Sequence, residues 1–121
     1  MPTNPLPPSL AEVVNRAVDV VDPEGANDGV GELQRHLEDR DEPVTAIDDV
    51  DEVLAEAAGT VDPEGEDPEV VMAVAVASYL ARRRDELDDV PEDILRLAAR
   101  AELGRHPPTH VADWLAAQGV H

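Results

Sequence analysis

A chain that carries a net charge of −19 on 121 residues must hold its carboxylates apart or sit in an electrolyte that screens them. There are 28 Asp and Glu against nine basic residues, and all nine are arginine. At ordinary ionic strength such an excess strains any compact state by self-repulsion. At molar salt the screening length falls to about 3 Å and the strain nearly vanishes. The acids run through most of the chain and do not gather in one block, so a single acidic face for a basic partner is the weaker account. Lysine and phenylalanine are both absent, and Tyr79 and Trp114 are the only aromatics. Small apolar side chains, mainly Ala and Val, must fill the interior, which suffices where concentrated salt strengthens apolar burial. This composition resembles that of proteins from a salt-accumulating haloarchaeal cytoplasm, and the expected compartment is cytoplasmic.

A hydrophobic fraction of 42 % supplies a core for one domain and no more. There is no cysteine, which excludes disulfides, thiolate metal sites and cysteine nucleophiles. Residues 1–8 hold four prolines and read as a disordered or extended tail, leaving 9–121 as the single helical domain. The N-terminal residues show neither a basic nor an apolar signal region. The longest apolar run, Val70 to Ala77, is far short of the roughly 20 residues that span a bilayer.

Periodicity and caps predict five or six helices packed as a compact all-α bundle. Ser9 and Glu12 form a capping box, and Leu10, Val13, Val14, Ala17, Val18 and Val21 then make one apolar stripe. A second helix is expected over about 28–40, weakened by Gly29 and Gly31 in its first turn. A third is expected over about 46–58, capped by Thr45 and closed at Gly59, with Ile47, Val50, Leu54 and Ala57 inward. Asp67, Pro68 and Glu69 open a fourth over 68–87. Its apolar residues face every direction, which places it at the centre, and Arg82, Arg83 and Arg84 suit the negative end of its dipole. The fifth starts near Pro91, turns Ile94, Leu95, Ala98, Ala101 and Leu97 inward, and stops at Gly104. Thr109 is expected to cap a sixth, with Val111, Trp114 and Leu115 on one face and an end at Gly119.

The pentapeptide Val-Asp-Pro-Glu-Gly occurs at 21–25 and again at 61–65. Each copy precedes a helix, an Arg-Asp-Glu link (40–42 and 84–86), a second helix and a glycine (59 and 104). The pattern suggests a duplicated helical hairpin over 21–59 and 61–104. The competing account is two similar loops in a chain rich in Asp and Pro.

No catalytic residue stands out. Phosphate loops, nucleophile elbows and zinc motifs are all missing. Ser9 reads as a cap and Ser78 lies in the buried helix. An EF-hand fails, because setting Gly29 at the sixth position puts Arg35 where the bidentate glutamate belongs. Asp48, Asp49, Asp51 and Glu52 read as a solvated face. His106 and His110 have ligand spacing, but Pro107 and Pro108 part them, so neither a metal nor another cofactor is expected.

The charge is unevenly spread. Residues 1–94 carry −20, whereas residues 95–121 carry +1 and three histidines. Sparing one segment from the acidic coat fits a contact with another macromolecule. Arg96, Arg100, Arg105, His110 and Trp114 are the candidate interaction residues. The leading expectation is a non-enzymatic protein–protein interaction module or homodimer that docks through its last two helices. The alternative is a nucleic-acid-associated regulator with a degenerate helix-turn-helix over 94–119. Against it stand a turn lengthened by His106-Pro107-Pro108 and a second helix with Asp113 and no arginine. Trp114 either anchors such an interface or pins the last helix to the core.

Overall fold

The computed structural model describes residues 7–83, 86 and 89–120. Six helices follow in order: α1 (Leu10–Val21), α2 (Asp28–Leu37), α3 (Val50–Val61), α4 (Pro68–Arg82), α5 (Pro91–Leu103) and α6 (Thr109–Ala117). A short 3₁₀ turn, Val44–Ala46, lies between α2 and α3. The helices pack on one another around a single apolar core, as the periodicity predicts. Among the described residues no helix is long and apolar enough to cross a membrane.

The first helix is built as its sequence dictates. Ser9 Oγ accepts the Glu12 N–H at 3.1 Å, and the whole apolar stripe is buried. Its Leu10 and Ala11 amides donate to the Glu42 and Arg40 carbonyls, each at 3.0 Å. These are orphan donors of a helix N-terminus. Meeting them draws the 40–42 segment across α1, and α2 therefore ends at Leu37, short of the predicted Arg40. Pro8 also belongs to the fold, since its carbonyl accepts the Val44 N–H at 3.0 Å. The remainder of the expected tail, 1–6, lies outside the described residues.

The third helix departs from expectation at both ends. Thr45 sits in the 3₁₀ turn, and the cap is Asp49, whose side chain accepts the Glu52 N–H at 3.1 Å. An ionised carboxylate at the positive end of a helix is a stronger cap than a hydroxyl. Gly59 is an interior residue of α3, and Asp62 closes the helix. The central helix α4 starts as predicted, with Asp67 accepting the Glu69 N–H at 3.0 Å and proline in the first turn. It ends at Arg82, with Arg83 as its C-cap; Arg84 and two residues of the expected extension lie outside the described residues. Ten of its 15 residues are buried, and it touches all five other helices. Tyr79 lies at its inner end. Its hydroxyl is pushed up to about 12, first by burial and then by the Glu86 carboxylate to which it donates.

Two expected features of α5 and α6 also change. Leu97 and Ala101 are exposed and not inward, because the buried face of α5 runs through Ile94, Leu95, Ala98 and Ala99. Glu102 is half-buried and pairs with Arg82 of α4. Thr109 is the first helical residue of α6 and not its cap. The Pro108 carbonyl instead accepts the Val111 and Ala112 amides at 3.0 and 2.9 Å. The fixed φ of Pro108 pre-sets the extended residue before the helix, so a side-chain cap is not needed to start it.

The two Val-Asp-Pro-Glu-Gly loops have the same construction. Asp22 Oδ1 and Oδ2 accept the Ala26 and Asn27 amides, both at 3.0 Å. Forty residues on, Asp62 accepts the Glu66 and Asp67 amides at 3.2 and 3.0 Å. Gly25 and Gly65 both hold φ of +66°, a conformation that only glycine adopts freely. The preceding helices, α1 and α3, are each 12 residues long, and each is capped three residues before a glutamate. The repeated unit is therefore helix, loop, helix over 9–37 and 49–77. The same forty-residue step carries Leu54 of α3 onto Ile94 of α5, both fully buried, in keeping with the expected segments 21–59 and 61–104. The link at 84–86 lies partly outside the described residues.

The two units cross. α1 packs on α4 and α2 on α3, so each hairpin covers the other. Their loops meet where Asn27 Nδ2 donates to Asp67 Oδ2 at 3.1 Å. A Cβ at Gly29 would lie 3.1 Å from Val70 Cγ2, so glycine in the first turn of α2 serves this close approach. Asp22 is 8 % exposed, whereas Asp62 is half-buried. Asp22→Ala is expected to cost about 2 kcal/mol, because it removes a buried carboxylate that holds two loop amides, and Asp62→Ala about half of that. Urea denaturation of the two variants checks the order.

Candidate interaction groove

The end of α5, the 104–108 link and α6 enclose an open groove of about 820 Å³. Its rim carries Arg96, Arg100 and Arg105. Its floor is small and apolar: Ala99 from α5, then Ala112, Leu115 and Ala116 from α6. Val120 completes it. The Val120 N–H donates to the Leu115 carbonyl at 3.0 Å and the Gly119 N–H to the Ala116 carbonyl at 3.0 Å. This is the double bond set of a Schellman ending, which folds the residue after the glycine back onto the helix. Val120 is thereby 7 % exposed and seated beside Leu115.

The arginines reach the rim by simple helix geometry. Arg96 and Arg100 are four residues apart and share one side of α5. The chain reverses at Gly104, whose N–H donates to the Arg100 carbonyl at 3.2 Å, and Arg105 follows at once. All three side chains are exposed. Arg96 pairs with Asp93 at 2.7 Å. Arg100 and Arg105 meet no carboxylate within ion-pair distance among the described residues. Arg35 and Arg83 likewise meet no carboxylate within ion-pair distance among the described residues, so what sets Arg100 and Arg105 apart is their place beside an apolar floor. Arg40 pairs with Glu42, and Arg82 bridges Asp51 and Glu102.

The other two candidate residues lie elsewhere. His110 is half-buried, and its Nε2 stands 2.8 Å from the Gly65 carbonyl. Trp114 is packed against the core, with Nε1 donating to Glu69 Oε1 at 3.3 Å. Both fasten α6 to the second loop and to α4, and neither lines the groove. Of the two roles open to Trp114, the structure shows the pin. His106 is exposed and does not join His110. Among the described residues no three His, Asp or Glu side chains gather to hold a metal.

The floor was the part that sequence reasoning missed. Its signal was present: Ala112 and Ala116 fall one turn apart on α6, as Arg96 and Arg100 do on α5. Neither a protein-family model, nor a curated protein, nor a solved structure matches the chain.

Proposed function

We propose that the chain is a non-enzymatic protein-interaction module whose α5–α6 groove receives an acidic, apolar-faced helix. The observation that carries this is the pair Arg100 and Arg105, which meet no carboxylate within ion-pair distance among the described residues and stand beside an apolar floor. A helix with glutamates at one-turn spacing and small apolar residues beside them meets both parts of the groove. The guanidinium forks give orientation and the floor gives area. The same arginines would suit phosphate. The peptide is the better fit, because the floor is apolar and α6 offers a nucleic-acid groove no basic side chain other than the fastened His110. The composition supports a salt-adapted haloarchaeal, cytoplasmic setting, in which phosphate and carboxylate contacts are both screened and the apolar floor carries more of the affinity.

A synthetic amphipathic helix with glutamate at every turn, titrated into the ¹⁵N-labelled chain, tests this. The amides of Ala99, Arg100, Arg105, Ala112 and Ala116 are expected to shift together. The double variant Arg100→Glu, Arg105→Glu should weaken the binding by about tenfold or more. No shift at millimolar peptide overturns the reading, and shifts with duplex DNA alone would replace it with the nucleic-acid one.

A further inference from the structure

We infer that the occupant of the α5–α6 groove is the outer face of α3 from a second copy of this chain, so that copies join head to tail. This rests on reading the groove as a docking surface for an acidic helix.

The internal repeat shows what is unusual about α3. Its counterpart α1 buries eight residues, and α3 buries only Leu54 and Ala57. In the first hairpin, Gln34 Nε2 donates to Asn15 Oδ1 at 2.8 Å and closes the surface between α1 and α2 with a polar bond. Forty residues on, those positions are Val74 and Ala55. An open depression of about 560 Å³ stands there, with Ala55, Ala58, Gly59, Val71 and Val74 in its lining. Ala55 and Gly59 are exposed, so the outer face of α3 is a small apolar edge beside this depression that stays open among the described residues.

That edge also carries the matching charge. Glu52 and Glu56 are exposed, one helical turn apart, and take part in no ion pair among the described residues. Arg96 and Arg100 stand one turn apart on α5, as Glu52 and Glu56 do on α3, and Arg105 follows in the link. A ridge of Ala55 and Gly59 can approach a floor of Ala99, Ala112 and Ala116 closely, near the short end of helix–helix spacing, about 8 Å. Copies of a chain with charge −19 repel one another over most of their surface. The segment 95–121, at +1, is where one copy can approach another without that penalty. Ridge and groove share no lining residue, so the contact is heterologous: it extends into chains or closes into a ring.

Sedimentation velocity over a range of protein concentration tests this, in the lowest KCl that keeps the helical circular dichroism intact. The unmodified chain should pass from monomer to species larger than a dimer. Glu52→Arg with Glu56→Arg, or Arg100→Glu with Arg105→Glu, should each raise the concentration needed by about tenfold or more. Combining all four substitutions, or mixing the two doubly substituted chains, should restore assembly. A chain that stays monomeric at millimolar concentration, stops at a dimer, or ignores either pair of substitutions overturns the proposal, and so does a failure to restore. If the chain is monomeric but the acidic peptide still shifts the groove amides, self-docking falls and the groove reading stands. If both are silent, both fall.

Discussion

Dialysis from molar KCl into dilute buffer is expected to unfold this chain, with loss of the helical circular dichroism signal. Nine arginines face 28 acids, so most of the carboxylates lack local compensation. At about 1 M salt the screening length is near 3 Å, shorter than the gap between most neighbouring surface charges. At 0.01 M it is about 30 Å, larger than the roughly 13 Å radius of gyration of a domain near this size. Every carboxylate then acts on every other. A domain's net stability is only about 5–15 kcal/mol, and the added repulsion draws on that margin. The core compounds the effect, because its Val and Ala side chains bury little area each and gain from concentrated salt. An equal melting temperature in brine and in dilute buffer would refute the salt-adapted reading.

The second large effect belongs to the centre of the bundle. Leu80→Ala should cost about 2–5 kcal/mol in urea denaturation at molar KCl, with little change in the slope against denaturant. Leu80 is 0 % exposed and lies on the helix that every other helix touches. Removing its isobutyl group leaves a hole that α1, α3 and α5 cannot all close in on. Leu97→Ala is the control. Leu97 is 37 % exposed, and its loss should stay within about 0.5 kcal/mol. A Leu80 variant as stable as the Leu97 variant would mean that α4 is not the hub.

Much of this architecture was legible in the sequence, and the gaps have physical causes. The stripe of α1 and the Asp67-Pro68-Glu69 start of α4 are local signals, and both stand where they were read. The errors fall where distant backbone decides. The end of α2 is set by α1 amides that need the 40–42 carbonyls. The start of α3 moved to Asp49, whose carboxylate caps the helix while Thr45 is taken up in the 3₁₀ turn. Gly59 looked like a stop signal, but no left-handed residue was required there. The candidate site was half legible. Arginines spaced along a helix and its link predict a shared rim, and Arg96, Arg100 and Arg105 share it. His110 and Trp114 were grouped with them by closeness in sequence alone. On α6 they turn instead toward Gly65 and Glu69, partners 45 residues away that periodicity cannot see.

The crossing of the two hairpins has a kinetic meaning. α1 meets α4 and α2 meets α3, so each hairpin completes its apolar core against the other as well as within itself. Much of the contact that holds the core is thus non-local, and loop closure must come before any reward. A helical protein of this size would ordinarily be a fast folder with local nuclei. Here the two halves must find each other first, and a chain cut between them leaves two fragments that are each missing a lid.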